Sequence, residues 1–329
     1  MTDAASNVDD TPDSRPILGI TFLLIASTVF PLQDVIIKSF SGEYAVHQIV
    51  FIRGVIALPL VALLAQFDGG IFPLKLGSIW LQLLRASAAF SSYIVYYMAL
   101  AAIGLAETAA ITFSTPIFVT IFAMFFLGEK IGAFRWFAVM VGLAGVLVIV
   151  QPGSGVFEPA AVLALGAAIS YGTSIIVTRK IGKTANGGSM TLFTIVVFIA
   201  YGAILGLVFS NIENVSPHPS LAFLYRGWIW PESGHWIYFL ALGLISAIGF
   251  YCLSQAYRVA EASVVTPFEY TYLPWSILWG YVFFASLPSM STWIGLTLIV
   301  GAGLLIVFRE AVRGRKLVRR RGLGIMRQR

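Results

Sequence analysis

The chain has 329 residues, 58% of them hydrophobic and 11% charged, with a formal net charge of +6. A soluble domain carries about 25% charged residues, so soluble globular, disordered and coiled-coil classes are excluded and a polytopic membrane protein remains. The one cysteine, Cys252, excludes a disulfide framework or a cysteine metal cluster. Nine of the 21 Lys and Arg lie between Arg309 and Arg329, so the positive charge is a tail and not a nucleic-acid-binding face.

In chain order, Met1–Ser14 holds four aspartates and no basic residue. That does not fit a cleavable signal peptide and predicts a disordered acidic tail over 1–15. Ten apolar runs follow, near 16–37, 46–66, 78–99, 107–127, 133–151, 159–178, 188–209, 236–256, 263–284 and 291–308. Each is long enough as a helix to cross a hydrocarbon core of about 30 Å. Short turns separate most of them: Asp68-Gly69-Gly70, Gly128-Glu129-Lys130, Gln151-Pro152-Gly153 and Asn186-Gly187-Gly188. The longer linker, Ser210 to His235, contains Trp228 and Trp230 with Trp236 just beyond it, and is expected to rest at the membrane interface.

With the N-terminus placed in the cytoplasm, 17 Lys and Arg fall on the inner side and two, Lys38 and Arg226, on the outer. The positive-inside rule then puts both termini in the cytoplasm of a multi-pass inner (plasma) membrane protein. The basic tail from Arg313 to Arg329 is expected to meet anionic lipid.

The two halves of the chain resemble each other. Met98–Glu129 aligns without gaps to Gln255–Ser286, pairing Phe113 with Tyr270 and Leu127-Gly128 with Phe284-Ala285. Trp136 pairs with Trp293, and Phe30…Lys38 matches Tyr171…Arg179. Five spans per half make the halves cross in opposite senses, the arrangement of alternating-access transporters with a site near the midplane. The expected organisation is a tail over 1–15, a first repeat over 16–153, a second over 154–308 and a basic tail over 309–329. The expected fold is all-α, with ten transmembrane helices as two inverted five-helix repeats around a central cavity.

Tyr96-Tyr97-Met98-Ala99-Leu100, Ala106-Glu107-Thr108, Thr115-Pro116 and Phe126-Leu127-Gly128-Glu129 resemble the EamA-type branch of the drug/metabolite transporter superfamily. Ala262-Ser263-Val264-Val265-Thr266-Pro267-Phe268-Glu269-Tyr270 carries the same likeness in the ninth span. The resemblance covers about residues 16–308 and implies ten helices, inverted repeats and a central cavity. Members include amino-acid exporters and importers of riboflavin or S-adenosylmethionine. Ala285-Ser286, where the first repeat has Gly128-Glu129, departs from a symmetric role for Glu129.

Ionisable groups inside spans are the functional candidates. Gln33 and Asp34 lie in the first span behind Pro31. Asp34 and Lys38, four apart, read either as cavity-lining groups or as a local ion pair at the membrane edge with Lys38 snorkelling outward. Glu269, flanked by Pro267 and Pro274, is the sharper proton or substrate candidate, or else a salt-bridge partner of Arg85 or Arg53. Arg85 reads as a clamp for a substrate carboxylate or as part of a gate; Arg53 reads as either a clamp or a headgroup or helix-end contact. Tyr93 and Tyr97, with Tyr96 on the same helix face, and Tyr171 and Tyr270 in other spans, are expected to shape a cavity. The candidate substrate-binding set is therefore Gln33, Asp34, Arg85, Tyr93, Tyr97, Tyr171, Glu269 and Tyr270. Glu107, Glu129 and Glu261 read as span-end groups. Gly142 with Gly145, and Gly301 with Gly303, mark faces where helices approach closely or a homodimer forms; a monomer is the other expectation.

No metal-ligand spacing, phosphate loop or cofactor motif is present, and nothing in the sequence supports an enzyme. The reading is a secondary active transporter of a small organic metabolite, an amino acid or related compound, working by alternating access with proton coupling through the buried carboxylates. A vitamin or nucleoside-derivative importer of the riboflavin or S-adenosylmethionine type is the alternative. A passive channel is the alternative from another class.

Overall fold

Backbone amides and carbonyls in hydrocarbon find no water, so each apolar run must close its hydrogen bonds within itself, and a helix does this. A computed structural model of the chain describes residues 16–67, 77–128, 132–152, 158–181, 187–210, 218–260 and 265–325. The described helices are α1 (Pro16–Phe40), α2 (Val46–Phe67), α3 (Ile79–Ala102), α4 (Leu105–Thr112), α5 (Thr115–Leu127) and α6 (Ala133–Val150). They continue as α7 (Ala160–Ile181), α8 (Gly187–Val208), α9 (Pro219–Tyr225), α10 (Trp236–Val259), α11 (Tyr272–Phe284) and α12 (Met290–Ile325). Single 3-10 segments at Ser233–His235 and Thr266–Thr271 precede α10 and α11. The predicted acidic tail, the turn residues Asp68, Glu129, Lys130, Gly153 and Asn186, and Glu261 lie outside the described residues, as do the side chains of the basic tail.

Long apolar stretches at 16–40, 46–64, 105–127, 160–181, 188–208 and 233–253 are each sufficient to cross a membrane, with shorter ones at 136–150 and 290–306. The chain is an all-helical multi-pass membrane protein. α3 is as long as these helices, but Gln82, Arg85 and three tyrosines make it more polar. The tyrosines have a structural cause, because that face of α3 meets Gln33 and Asp34 of α1.

The helix pairing follows the internal repeat. α3 packs along α7, and its repeat mate α10 packs along α1, the mate of α7. α5 against α7 is likewise mirrored by α11 against α1. α2 with α8 and α6 with α12 are mates that meet each other directly, and α4 of the fourth span packs on α11 of the ninth, the mate of that span. The contacts between the two repeats are thus reciprocal.

Lipid tails give no hydrophobic drive for helices to associate, so close packing of small residues does that work. On α7, Ala160, Ala164, Ala167, Ala168 and Gly172 are buried at near-helical spacing, and the backbones of α3 and α7 approach closely enough for Ser92 Oγ to donate to the Ala167 carbonyl at 2.9 Å. At the α6–α12 contact a Cβ on Gly145 would stand 2.7 Å from the Gly295 carbonyl oxygen, so these helices meet backbone to backbone.

Three features depart from uniform predicted spans. The fourth span is broken into α4 and α5 around Phe113 and Ser114, just before Pro116, whose ring nitrogen has no proton for the helix ladder. Its mate, the ninth, enters as the 3-10 segment Thr266–Thr271 and becomes α-helical at Tyr272, with Pro267 and Pro274 on either side. The last helix does not stop near 308 but runs to Ile325. Both broken spans end alike: α5 closes on Gly128 at φ 67° and α11 on Ala285 at φ 50°, both left-handed. The aligned caps thus keep one backbone shape although one copy has lost its glycine.

Candidate functional site

α1 carries Gln33 and Asp34 into the interior, each only 3% exposed. Neither could remain there without partners, because unpaired polar atoms in such a setting are costly. Helical spacing places Tyr93, Tyr96 and Tyr97 of α3 together opposite them. Tyr97 donates its hydroxyl to Asp34 Oδ1 at 2.7 Å, and Tyr96 donates to Oδ2 at 2.8 Å. Tyr272 of α11 also donates to Oδ2, and its hydroxyl lies 2.9 Å from that of Tyr96.

The Gln33 amide is used at both ends. Its Nε2 donates to Tyr93 at 2.7 Å and to Tyr97 at 2.9 Å. Its Oε1 accepts from Arg53 Nη1 at 3.0 Å and from Ser246 Oγ at 2.9 Å. Tyr93 donates in turn to Tyr97 at 2.9 Å. The Arg53 guanidinium, 2% exposed, stacks 4.1 Å from the centroid of the Tyr93 ring, where the quadrupole of the ring favours a cation. One carboxylate and one guanidinium thus lie in a single buried node, linked through Tyr97 and the Gln33 amide. The node joins the halves, since Ser246 of α10 and Tyr272 of α11 belong to the second repeat.

Two more expected residues, Glu269 and Tyr270, form a second group in the 3-10 segment that leads into Tyr272. Tyr171 lies on α7, 41% exposed. The Phe113 ring lies against both Tyr270 and Tyr272, with centroids 5.3 and 5.7 Å away, and so bridges the two groups.

Arg85 is placed elsewhere. It donates to Gln82 Oε1 at 3.0 Å, to the Met190 carbonyl at 2.7 Å and to Thr194 Oγ1 at 2.6 Å, tying α3 to α8. Lys38 neither pairs with Asp34 nor snorkels outward. Its Nζ donates to the carbonyls of Leu100 and Ile103 at 2.5 and 2.6 Å, closing the carbonyl end of α3 where a cation is favoured. Nearby, Glu107 accepts from Thr292 at 3.3 Å.

The node also recruits Arg53, Tyr96, Ser246 and Tyr272, which are absent from the expected set. A lone carboxylate inside a span requires donors, and that requirement could have singled out Tyr96 beside Tyr93 and Tyr97. Ser246 carries no such signal, being one of many small residues in an apolar helix.

The sequence pattern of the family described as "EamA-like transporter family" matches this chain twice, over residues 17–151 and 158–308. A riboflavin transporter from Rhizobium johnstonii is 27% identical over 312 residues, covering 92% of this chain and 95% of its own. An S-adenosylmethionine uptake transporter from Rickettsia prowazekii is 24% identical over 296 residues, covering 89% and 93%. One solved crystal structure superposes with a TM-score of 0.60 at 18% identity, covering 88% of this chain and 95% of that one, a likeness of fold.

Proposed function

Since this chain belongs to the EamA-like transporter family, and is thereby a membrane transporter of small molecules and not an enzyme, we propose that it carries a planar, hydrogen-bonding metabolite by alternating access between its two halves. The vitamin or nucleoside-derivative reading is preferred to the amino-acid reading on two grounds. The relatives named above carry riboflavin or S-adenosylmethionine, and tyrosines dominate the centre of the protein. The location is the inner membrane with both termini in the cytoplasm, on the strength of the 17-to-2 charge distribution.

The observation that carries the proposal is the buried node at the junction of the repeats. Its cross-half contacts, Tyr272 to Asp34, Ser246 to Gln33 and Tyr96 to Tyr272, tie the two repeats together at the centre. A site that opens at such a centre needs a solute to refill it. Asp34, Gln33, Tyr93, Tyr97, Tyr171 and Tyr270 are assigned to solute contact. Glu269, in the 3-10 segment next to the node, is assigned the coupling proton, and Arg85 is assigned to helix packing.

The test is flux of labelled riboflavin, S-adenosylmethionine and amino acids in proteoliposomes, in both directions, with and without a pH gradient. Saturable flux of a planar metabolite that responds to the gradient, and a Glu269→Gln variant whose flux no longer responds, is the expected result. Flux of amino acids alone would overturn the substrate class, and unchanged gradient response in Glu269→Gln would overturn the proton assignment.

A further inference from the structure

With both termini in the cytoplasm, α1 and α3 each run from the inner side of the membrane to the outer. They meet only thinly, and among the described residues the bonds between them lie at their outer ends. Gln33 donates to Tyr93 and Tyr97, Tyr96 and Tyr97 donate to Asp34, and Lys38 donates to the Leu100 and Ile103 carbonyls. The main packing of each helix is elsewhere: α1 lies on α10, on the Thr266–Thr271 segment and on α11, and α3 lies on α7. Two helices that touch at one end, each bound along its length to a different neighbour, form a seam that can part without unpacking either pair.

The outer end of this seam is also covered. Phe40, Tyr44, Phe223 and Phe239 are buried outward of the node. The linker crosses above them: α9 packs on α3, and Arg226 just beyond it donates to the carbonyls of Ser41 and Tyr44 in the turn after α1.

The mates of these helices are arranged differently. In the second repeat the corresponding seam joins α7 to α10 at their inner ends, and the two helices make no extended packing there among the described residues. Continuing the internal alignment, Ile175, Phe250 and Leu253 take the places of Asp34, Tyr93 and Tyr96. One seam is shut by a polar network and its inverted copy is apolar and parted. The polar chemistry suits a surface that opens and closes: shut, its groups are paired as burial requires, and opened, they exchange those partners for water at a modest net cost.

We propose that the outer half of the α1–α3 seam is the outer gate of the transport cycle, latched by Lys38 on the end of α3 and by the α3 tyrosines on Gln33 and Asp34. α1 then moves with α10 and α3 with α7, so each moving body takes helices from both repeats. The structure is the state closed to the outside, and opening the gate uncovers the groups assigned to solute contact. This rests on the alternating-access reading above and specifies which helices part.

Spin-label distances on purified protein in nanodiscs test this, with Cys252→Ala as the background and cysteines introduced in two pairs. Gly42 and Ala102 stand at the outer ends of α1 and α3; Ile17 and Lys180, both exposed, stand at the inner ends of α1 and α7. Lys38→Met and Tyr97→Phe each remove latch bonds and should raise the population with a long outer distance about tenfold, as loss of a hydrogen bond to a charged group implies. The inner pair should shorten in the same variants. These opposite signs distinguish a gate from a loosened fold, in which both distances lengthen, and either variant suffices if the other fails to fold. An outer distance that does not respond, or that lengthens without inner shortening, overturns the gate; saturable flux in the parent protein then leaves the transport reading standing. Absence of flux in the parent overturns that reading, while reciprocal distance changes would still support the gate.

Discussion

Phe113 and Tyr270 occupy equivalent positions in the two repeats, and their rings lie against each other with centroids 5.3 Å and planes 35° apart. Both sit where a membrane span is broken, Phe113 between α4 and α5 and Tyr270 in the 3-10 segment before α11. The two-fold relation between the repeats therefore passes through an aromatic contact between two interrupted helices. Interrupted helices near the midplane are where transporters of this architecture free backbone groups for a solute.

Gly303 of α12 makes room for that contact, since a Cβ there would fall 1.7 Å from the Tyr270 hydroxyl. Gly303→Ala is expected to displace Tyr270 and destabilise the protein by about 1–3 kcal/mol, the usual scale of overpacking. Adding Tyr270→Phe removes the clashing oxygen and should recover part of the loss. A double-mutant cycle on thermal unfolding in detergent measures this, and strict additivity would contradict it.

Ala285 holds the left-handed cap of α11 at φ 50°, a conformation costing an L-residue roughly 1–2 kcal/mol. Ala285→Gly should stabilise the protein by about 0.5–1 kcal/mol, once the entropy lost by glycine is subtracted. Its mate Gly128, at φ 67° with no atom within 4 Å of a built Cβ, gives the converse. There Gly128→Ala should cost about 1 kcal/mol through backbone strain alone. Paired unfolding midpoints moving in opposite directions are the expected readout.

Arg53 makes a directional bond to Gln33 and a stacking contact with Tyr93. Lysine keeps the charge but not the planar fork, so Arg53→Lys should lower stability by about 1–3 kcal/mol and disturb solute binding through Gln33. Arg85→Lys should also lower stability, while changing the solute KM less than about twofold, because its partners Met190 and Thr194 are on α8 away from the node. Transport KM and unfolding midpoint, measured on both variants, separate the two arginines; a large KM change in Arg85→Lys would return it to the site.

Lys38→Met should cost about 1–3 kcal/mol by leaving the Leu100 and Ile103 carbonyls without their charged donor. Hydrogen exchange should rise locally, at the amides of the last turn of α3. Protection unchanged in that turn would show that the lysine contributes nothing there.

The span order, the duplication and the presence of important charges in the interior were legible in the sequence, because each leaves a pattern in one dimension. The length of an apolar run is set by bilayer thickness, and the duplication is a pattern that recurs along the chain. Pro267 and Pro274 marked the ninth span as one with freed backbone groups, but nothing marked the break in the fourth, the meeting of Phe113 with Tyr270, or the matching left-handed caps at Gly128 and Ala285.

Partnership was not legible. Arg53 and Arg85 look alike along the chain, each a cation some two turns inside a span, yet one is linked to Asp34 through Gln33 and Tyr97 and the other braces α8. Lys38 is four residues from Asp34 and nevertheless bonds to the end of another helix. A composition of 58% hydrophobic and 11% charged residues determined that this is a membrane protein with few interior charges. Only the packing of α1, α2, α3, α10 and α11 decided which of those charges meet, because a buried hydrogen bond depends on distances of about 3 Å between helices far apart in sequence.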